Sequence, residues 1–179
     1  CAKDMKERGK LAKNTVVGTV MTNMGFGKFC KENDISFIAT KVGDRFVLEE
    51  MLQEDYVFGG EQSGHVIFGD YASTGDGQLT SIQLLSLVKR SGKKLSELAS
   101  VMKRYPQCII NVTVSKDGKL AYYTDSVIKA AIDEAKKEFG DNGRIVVRPS
   151  GTEPLVRVMI EGKVQKLIEN EAKKLAELI

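Results

Sequence analysis

The chain has 179 residues, enough for one large domain or two small ones, and its 42% hydrophobic and 28% charged residues are those of an ordinary globular protein. With 27 basic against 24 acidic residues and a net charge of +3, it is too balanced to argue for nucleic acid. No apolar run approaches the ~18 residues of a membrane span, and the charged N-terminus has no signal-peptide core.

Three cysteines, Cys1, Cys30 and Cys108, form no spacing motif and read as reduced thiols of a cytoplasmic protein rather than a zinc site. The chain lacks an initiator methionine and starts inside an apparent helix, so it reads as a piece of something longer.

Residues 15–21 (TVVGTVM) form a short β-branched run, as in a strand buried on both faces. A helix follows from Asn23 to about residue 33, then a strand at 35–40. Gly43-Asp44 turns the chain into a helix over 45–53. Val57-Phe58 is a short strand running into glycines, and 66–68 is another. Asp76 caps a long helix to about residue 91, with Leu79, Ile82, Leu85 and Val88 expected on its apolar face. The basic cluster 89–94 complements that helix end as a solvated cap. A shorter helix spans 95–102. Alternating strands and helices imply an α/β layer with parallel pairing.

Arg104-Tyr105-Pro106 breaks this rhythm, which places domains at 1–106 and 107–179. Residues 109–115 alternate as a strand, and Lys116-Asp117-Gly118 reads as its turn. A helix over 125–139 carries Val127, Ile128, Ala131, Ile132 and Ala135 as its apolar stripe, and Gly140–Gly143 ends it. Strands at 145–147 and 156–160 flank a tight loop. An amphipathic helix over 163–179 turns Leu167, Ile168, Ala172, Leu175 and Leu178 inward. This second half is a small α+β unit with a thin core.

The loop between the last two strands gathers phosphate-binding chemistry. Gly151 brings backbone amides close to a ligand, and Ser150 and Thr152 donate hydrogen bonds. Arg148 and Arg157 offer planar forks that fit phosphate oxygens two at a time. The bland alternative is a surface hairpin with two solvated arginines. Neither well-known nucleotide motif is present: there is no G-x-x-x-x-G-K-[ST], and the run from Gly25 to Cys30 lacks the third glycine of G-x-G-x-x-G.

Gly59-Gly60-Glu61-Gln62-Ser63-Gly64-His65 is the second unusual segment. In extended backbone Glu61 and Ser63 would point the same way, which suits a pair of vicinal sugar hydroxyls. A polar turn is the competing reading. His65, the only histidine, is of the side-chain type that carries protons in catalysis, and a structural role competes with a catalytic one. Lys41 and Arg45 follow a strand end, where α/β sheets bind ligands, so they are candidate contacts to phosphate or sugar; a plain exposed turn competes.

Five segments resemble one family in its own order: GTVMTNMG at 18–25, TKVGDRFV at 40–47, GGEQSGHVIF at 59–68, STGDG at 73–77 and RPSGTEPLVRVMIEG at 148–162. They are similar to the α-D-phosphohexomutases, and the glutamine of GEQSGH and the RPSGTEP form resemble the amino-sugar branch. The resemblance implies a truncated third domain, Rossmann-like and mixed α/β, followed by a small α+β fourth domain like the TATA-box-binding protein. It implies sugar contacts by Glu61 and Ser63 and a phosphate loop of Arg148, Ser150, Gly151, Thr152 and Arg157; His65 is the candidate catalytic residue by its side-chain type alone. The implied reaction interconverts glucosamine 6-phosphate and glucosamine 1-phosphate through a phosphoserine and glucosamine 1,6-bisphosphate, with Mg2+ supporting the serine. The product would feed UDP-N-acetylglucosamine.

No Ser-His-Asn-Pro or Asp-Gly-Asp-x-Asp-Arg segment occurs, so the phosphoserine and metal site are expected in missing N-terminal domains of the same chain, and this piece is expected to be inactive alone. The partners implied are a phosphosugar and those domains, with a homodimer left open. The alternatives are a mannose- or glucose-phosphate mutase piece and a non-catalytic phosphosugar-binding module.

Overall fold

The computed structural model describes residues 1–151 and 153–179. Contacts divide the chain into two compact units, Cys1–Arg104 and Tyr105–Ile179.

The first unit is a four-stranded sheet with helices on both faces. Its elements are α1 (Ala2–Glu7), β1 (Thr15–Thr19), α2 (Met24–Glu32), β2 (Ser36–Thr40), α3 (Asp44–Gln53), β3 (Phe58–Gly60), β4 (Val66–Phe68), α4 (Gly77–Ser91) and α5 (Leu95–Ala99). The strand order is β2-β1-β3-β4; β1 pairs in parallel with β2 and β3, and β4 is antiparallel to β3. Every residue of β1 is buried, because alternate side chains enter two different cores. Val16 joins Phe29, Cys30, Phe58 and Phe68 on the α2 side. Val17 joins Val47, Met51 and Ile67 on the α3 side.

The second unit is an antiparallel sheet of order β5-β7-β6, with β5 (Gln107–Thr113), β6 (Gly143–Pro149) and β7 (Leu155–Gly162). Helices α7 (Ser126–Phe139) and α8 (Gln165–Leu178) pack on one face, against Ile145, Val158 and Ile160. Together the units give the expected mixed α/β layer followed by a small α+β sheet.

Several local expectations fail. Lys116-Asp117-Gly118 does not turn a hairpin; it begins α6 (Lys116–Thr124). The Ser115 hydroxyl accepts from the Gly118 amide at 3.0 Å, starting a helix where the Asp-Gly pair suggested a turn. The first strand ends at Thr19 rather than residue 21, and α5 stops at Ala99 rather than residue 102. Three apolar stripes are rotated or narrowed. On α4, Ile82 and Leu85 are exposed and Leu87 is buried instead. Val127 on α7, and Leu167 and Leu178 on α8, are exposed too. In each helix the sheet accepts only the residues one face can deliver: Leu87 on α4, Ile128, Ile132 and Ala135 on α7, and Ile168, Ala172 and Leu175 on α8.

Candidate functional site

Two clusters carry the chemistry, one in each unit. In the first, the parallel strands β1, β2 and β3 all end on the same edge of the sheet. The chain leaves β1 for β2 and then crosses back to β3, so the strand order reverses at β1, which is where open α/β sheets bind ligands. The turns after β2 and β3 meet at this edge. Glu61 Oε2 accepts from the Gly43 amide at 3.2 Å. Gly43 is the cap of α3 and has φ +131°, a backbone conformation open to glycine. The Glu61 carboxylate therefore lies at a helix N-terminus, where the dipole favours negative charge.

Residues 61–65 form a turn rather than extended backbone: the Glu61 amide donates to the His65 carbonyl at 2.9 Å and the Gly64 amide to the Glu61 carbonyl at 3.1 Å. The side chains still converge. Ser63 Oγ donates to Glu61 Oε1, and His65 Nδ1 lies 2.9 Å from Ser63 Oγ and 3.3 Å from Glu61 Oε1. A carboxylate only accepts, so the single serine proton goes to Glu61 and the serine oxygen is left to accept. The contact with His65 is then one in which Nδ1 donates to the Ser63 oxygen.

Gly59 permits the close packing beneath this turn. A Cβ there would lie 2.7 Å from Met51 Sδ and Val47 Cγ1. Beside the turn is a 570 Å3 cavity whose walls include Phe26, Phe58, Glu61, Gln62 and Arg104. Sequence reasoning did not name Gln62 and Arg104 as site residues: it used Gln62 as a mark of the amino-sugar branch and Arg104 as part of the domain boundary. Lys41 and Arg45 stand at the same sheet edge but with other partners. The Arg45 guanidinium lies 4.7 Å from the Phe46 ring centroid and its Nε 3.4 Å from Glu49 Oε1, while Lys41 Nζ is 5.9 Å from the same ring centroid.

The second cluster sits on the sheet face opposite α7 and α8. Arg148 of β6 and Arg157 of β7 are direct cross-strand partners. Asn111 of β5 extends the same row across the sheet. Such partners have Cβ atoms about 5 Å apart, and like charges placed so repel. Burial, and then the Arg157 charge, lower the Arg148 pKa. The Nε atoms of both arginines are buried without a hydrogen-bond partner.

The connecting loop is short and internally bonded. The Ser150 amide donates to the Leu155 carbonyl at 2.8 Å, and the buried Ser150 hydroxyl accepts from the Glu153 amide at 3.2 Å. Gly151 has open space around its Cα, and Thr152 lies outside the described residues. Helix α6 supports the loop from behind: Lys119 Nζ donates to the Ser150 carbonyl at 2.8 Å and the Tyr122 hydroxyl to the Val147 carbonyl at 2.6 Å. Sequence reasoning missed both, because it read the start of α6 as a turn. Glu153 was also passed over; its Oε2 accepts from Arg157 and, at 3.4 Å, from Ser150 Oγ. Among the described residues, no group of three or more His, Cys, Asp or Glu could hold a metal ion.

Comparison with known proteins gives this geometry a family. The model described as "Phosphoglucomutase/phosphomannomutase, alpha/beta/alpha domain III" matches residues 1–105, and "Phosphoglucomutase/phosphomannomutase, C-terminal domain" matches residues 109–178. Over all 179 residues the chain is 55% identical to a phosphoglucosamine mutase of Clostridium botulinum (strain Kyoto / Type A2). It is 54% identical to one of Caldanaerobacter subterraneus subsp. tengcongensis. In both cases the chain spans 40% of the relative's length. An Aspergillus fumigatus N-acetylphosphoglucosamine mutase, solved in complex with GlcNAc-6P and magnesium, superposes with a TM-score of 0.79 at 17% identity, covering 98% of this chain and 44% of that one. That degree of identity shows likeness of fold alone.

Proposed function

We propose, from the premise that this chain belongs to the phosphoglucomutase/phosphomannomutase family, that it supplies the substrate-binding part of a phosphoglucosamine mutase. The observation that carries this reading is the pair Arg148 and Arg157, facing each other across β6 and β7 with buried, unpartnered Nε atoms. Two adjacent cations repel until an anion lies between them, and a phosphate monoester offers enough oxygens to satisfy both forks.

In this reading one phosphate of the sugar is anchored by Arg148, Arg157, Ser150, Thr152 and the Gly151 amide. Glu61 and Ser63 both accept from sugar hydroxyls, with Lys41 and Arg45 at the rim. Phosphoryl transfer depends on positioning and charge neutralisation, so holding one end of the sugar lets the other end react. Glu61 and Ser63 must accept the sugar in either orientation and so read hydroxyls common to both. His65 would exchange a proton with a hydroxyl of the bound sugar.

The substrates would be glucosamine 6-phosphate and glucosamine 1-phosphate, the intermediate glucosamine 1,6-bisphosphate and the setting the cytoplasmic supply of UDP-N-acetylglucosamine. Among the described residues no group of three or more His, Cys, Asp or Glu is placed to hold a magnesium ion.

The test is activity on three sugars. The complete reading frame containing these residues should interconvert the glucosamine phosphates with a higher kcat/KM than it shows on mannose or glucose 6-phosphate. The 179-residue chain alone, given magnesium and a bisphosphate activator, should not turn over. Preference for mannose 6-phosphate, or turnover by the chain alone, would overturn this reading.

A further inference from the structure

The phosphate loop described above contains its own anion. We propose that Glu153 is an internal stand-in for the phosphoryl group: its carboxylate holds the Arg157 guanidinium and the Ser150 hydroxyl when no ligand is bound, so a ligand must displace it. The proposal rests on the reading of this loop as a phosphate site.

Three observations support it. First, one oxygen, Glu153 Oε2, receives both contacts, from Arg157 Nη2 and at 3.4 Å from Ser150 Oγ. A single oxygen accepting from a guanidinium and a serine hydroxyl is the arrangement a phosphate oxygen would take in the same place. Second, the carboxylate compensates only one of the two arginines. Arg148, opposite Arg157, has a lowered pKa from burial and from the Arg157 charge, and its Nε has no partner. Arg148 is therefore the first group able to meet an incoming anion, and Arg157 is released in the second step. Third, the exchange is cheap. The Glu153 side chain is half exposed and Arg157 a third exposed, and exposed ion pairs contribute little net stability.

The consequence is selectivity by charge. An anion with one charge and two oxygens offers Arg157 and Ser150 nothing that Glu153 does not already offer. A phosphate monoester brings more charge and a third oxygen, so it engages Arg148 while displacing the carboxylate.

The test uses the 179-residue chain, with inorganic phosphate and acetate as probes, at constant pH and ionic strength, followed by backbone amide NMR. Glu153→Gln keeps the side-chain shape and removes the charge. It should tighten phosphate binding about three- to tenfold and should reveal acetate binding at residues 148–157 that the unaltered chain lacks. Glu153→Asp keeps the charge but is too short to reach both donors, so its affinity should fall between the two. Phosphate binding equal to or weaker than wild type in Glu153→Gln would overturn the stand-in role. An Asp variant indistinguishable from wild type would reduce the effect to diffuse charge and overturn it too. If phosphate shifts no amide of residues 148–157 in any of the three proteins, the phosphate-loop reading itself falls. Because Glu153 is half exposed, all three should fold alike.

Discussion

Glu161 offers a severe test of how the second unit is held together. It lies on the central strand β7 and is fully buried. Its Oε2 accepts from Arg144 at 2.7 Å on one neighbouring strand, and its Oε1 from Gln107 at 3.0 Å on the other. Both donors are its direct cross-strand partners. Glu161→Ala leaves a guanidinium facing an apolar hole and an amide without its acceptor. Removing one member of a buried pair costs about 3–5 kcal/mol, and Arg144, 28% exposed, places this case near 3. In a domain of this size each kcal/mol moves Tm by roughly 4–8 °C, so the second unit should melt on the order of 12–24 °C lower. Glu161→Gln, which keeps shape and one acceptor, should cost about 1–2 kcal/mol. The double replacement Arg144→Met with Glu161→Leu should recover most of the loss, since an apolar pair avoids the desolvation of two charges. The assay is urea and thermal unfolding read from resolved NMR signals of each unit separately, because two units need not unfold together. An alanine variant within 1 kcal/mol of wild type, or a double variant no better than the single, would refute the reasoning.

Three further outcomes are expected. Arg148→Lys retains charge but loses the planar fork, so phosphosugar kcat/KM in the complete gene product should fall by about 1.5–3 kcal/mol, roughly ten- to a hundredfold; an unchanged value would make the arginine merely solvated. Burial pushes the Cys30 thiol up to about 11. The folded chain thus keeps a proton that the unfolded chain loses near the ordinary thiol value of 9.0, so this contribution is intact at neutral pH and should decline as pH rises through that value to about 11, by on the order of 2–3 kcal/mol. Unfolding midpoints of the wild type and Cys30→Ala compared from pH 8 to 11 would check it, and parallel curves would count against it. On α4, Ile82→Gln and Leu85→Gln should change stability by less than about 0.5 kcal/mol, whereas Leu87→Ala should cost about 2–3; equal effects in urea unfolding would mean the helix is rotated otherwise.

Strand identity was legible in the sequence because β-branched runs bounded by glycine and polar turns have few other uses. Val16 and Val17 illustrate it: consecutive apolar residues in a short run imply burial on both faces, and they enter different cores. Helix phase was not legible. A stripe such as Leu79, Ile82, Leu85 and Val88 satisfies helical periodicity, yet Leu84 and Leu87 offer a second stripe on the same helix. Intrinsic pattern cannot choose between them; the sheet does, by taking Leu87 and leaving Ile82 and Leu85 outside. The start of α6 failed for a different reason. Asp117-Gly118 is a strong hairpin signal, but β5 pairs with β7, some forty residues onward, so no adjacent strand existed for a hairpin to join.

The candidate sites divide along the same line. Residue types within one loop were legible, since Arg148, Ser150, Gly151 and Arg157 announce anion chemistry by composition. Partners supplied from elsewhere were not. Gly43 reaches Glu61 only because two parallel strands end at one edge, and Lys119 reaches the Ser150 carbonyl only because α6 exists. The opposition of Arg148 to Arg157 is likewise a property of register, not of sequence spacing. Slipping β6 by one residue would move Arg148 to the helix-covered face and bury its charge without an anion. The same register places Arg144 against Glu161, four residues along β7 on the same face. One alignment therefore does two things at once: it closes a buried ion pair at one end of the sheet, and at the other it sets two arginines face to face, of which, among the described residues, only Arg157 is paired with a carboxylate. On the proposed phosphate-binding reading, no flexible loop has to gather the arginines, because the strand ladder already holds Arg148 and Arg157 opposite each other.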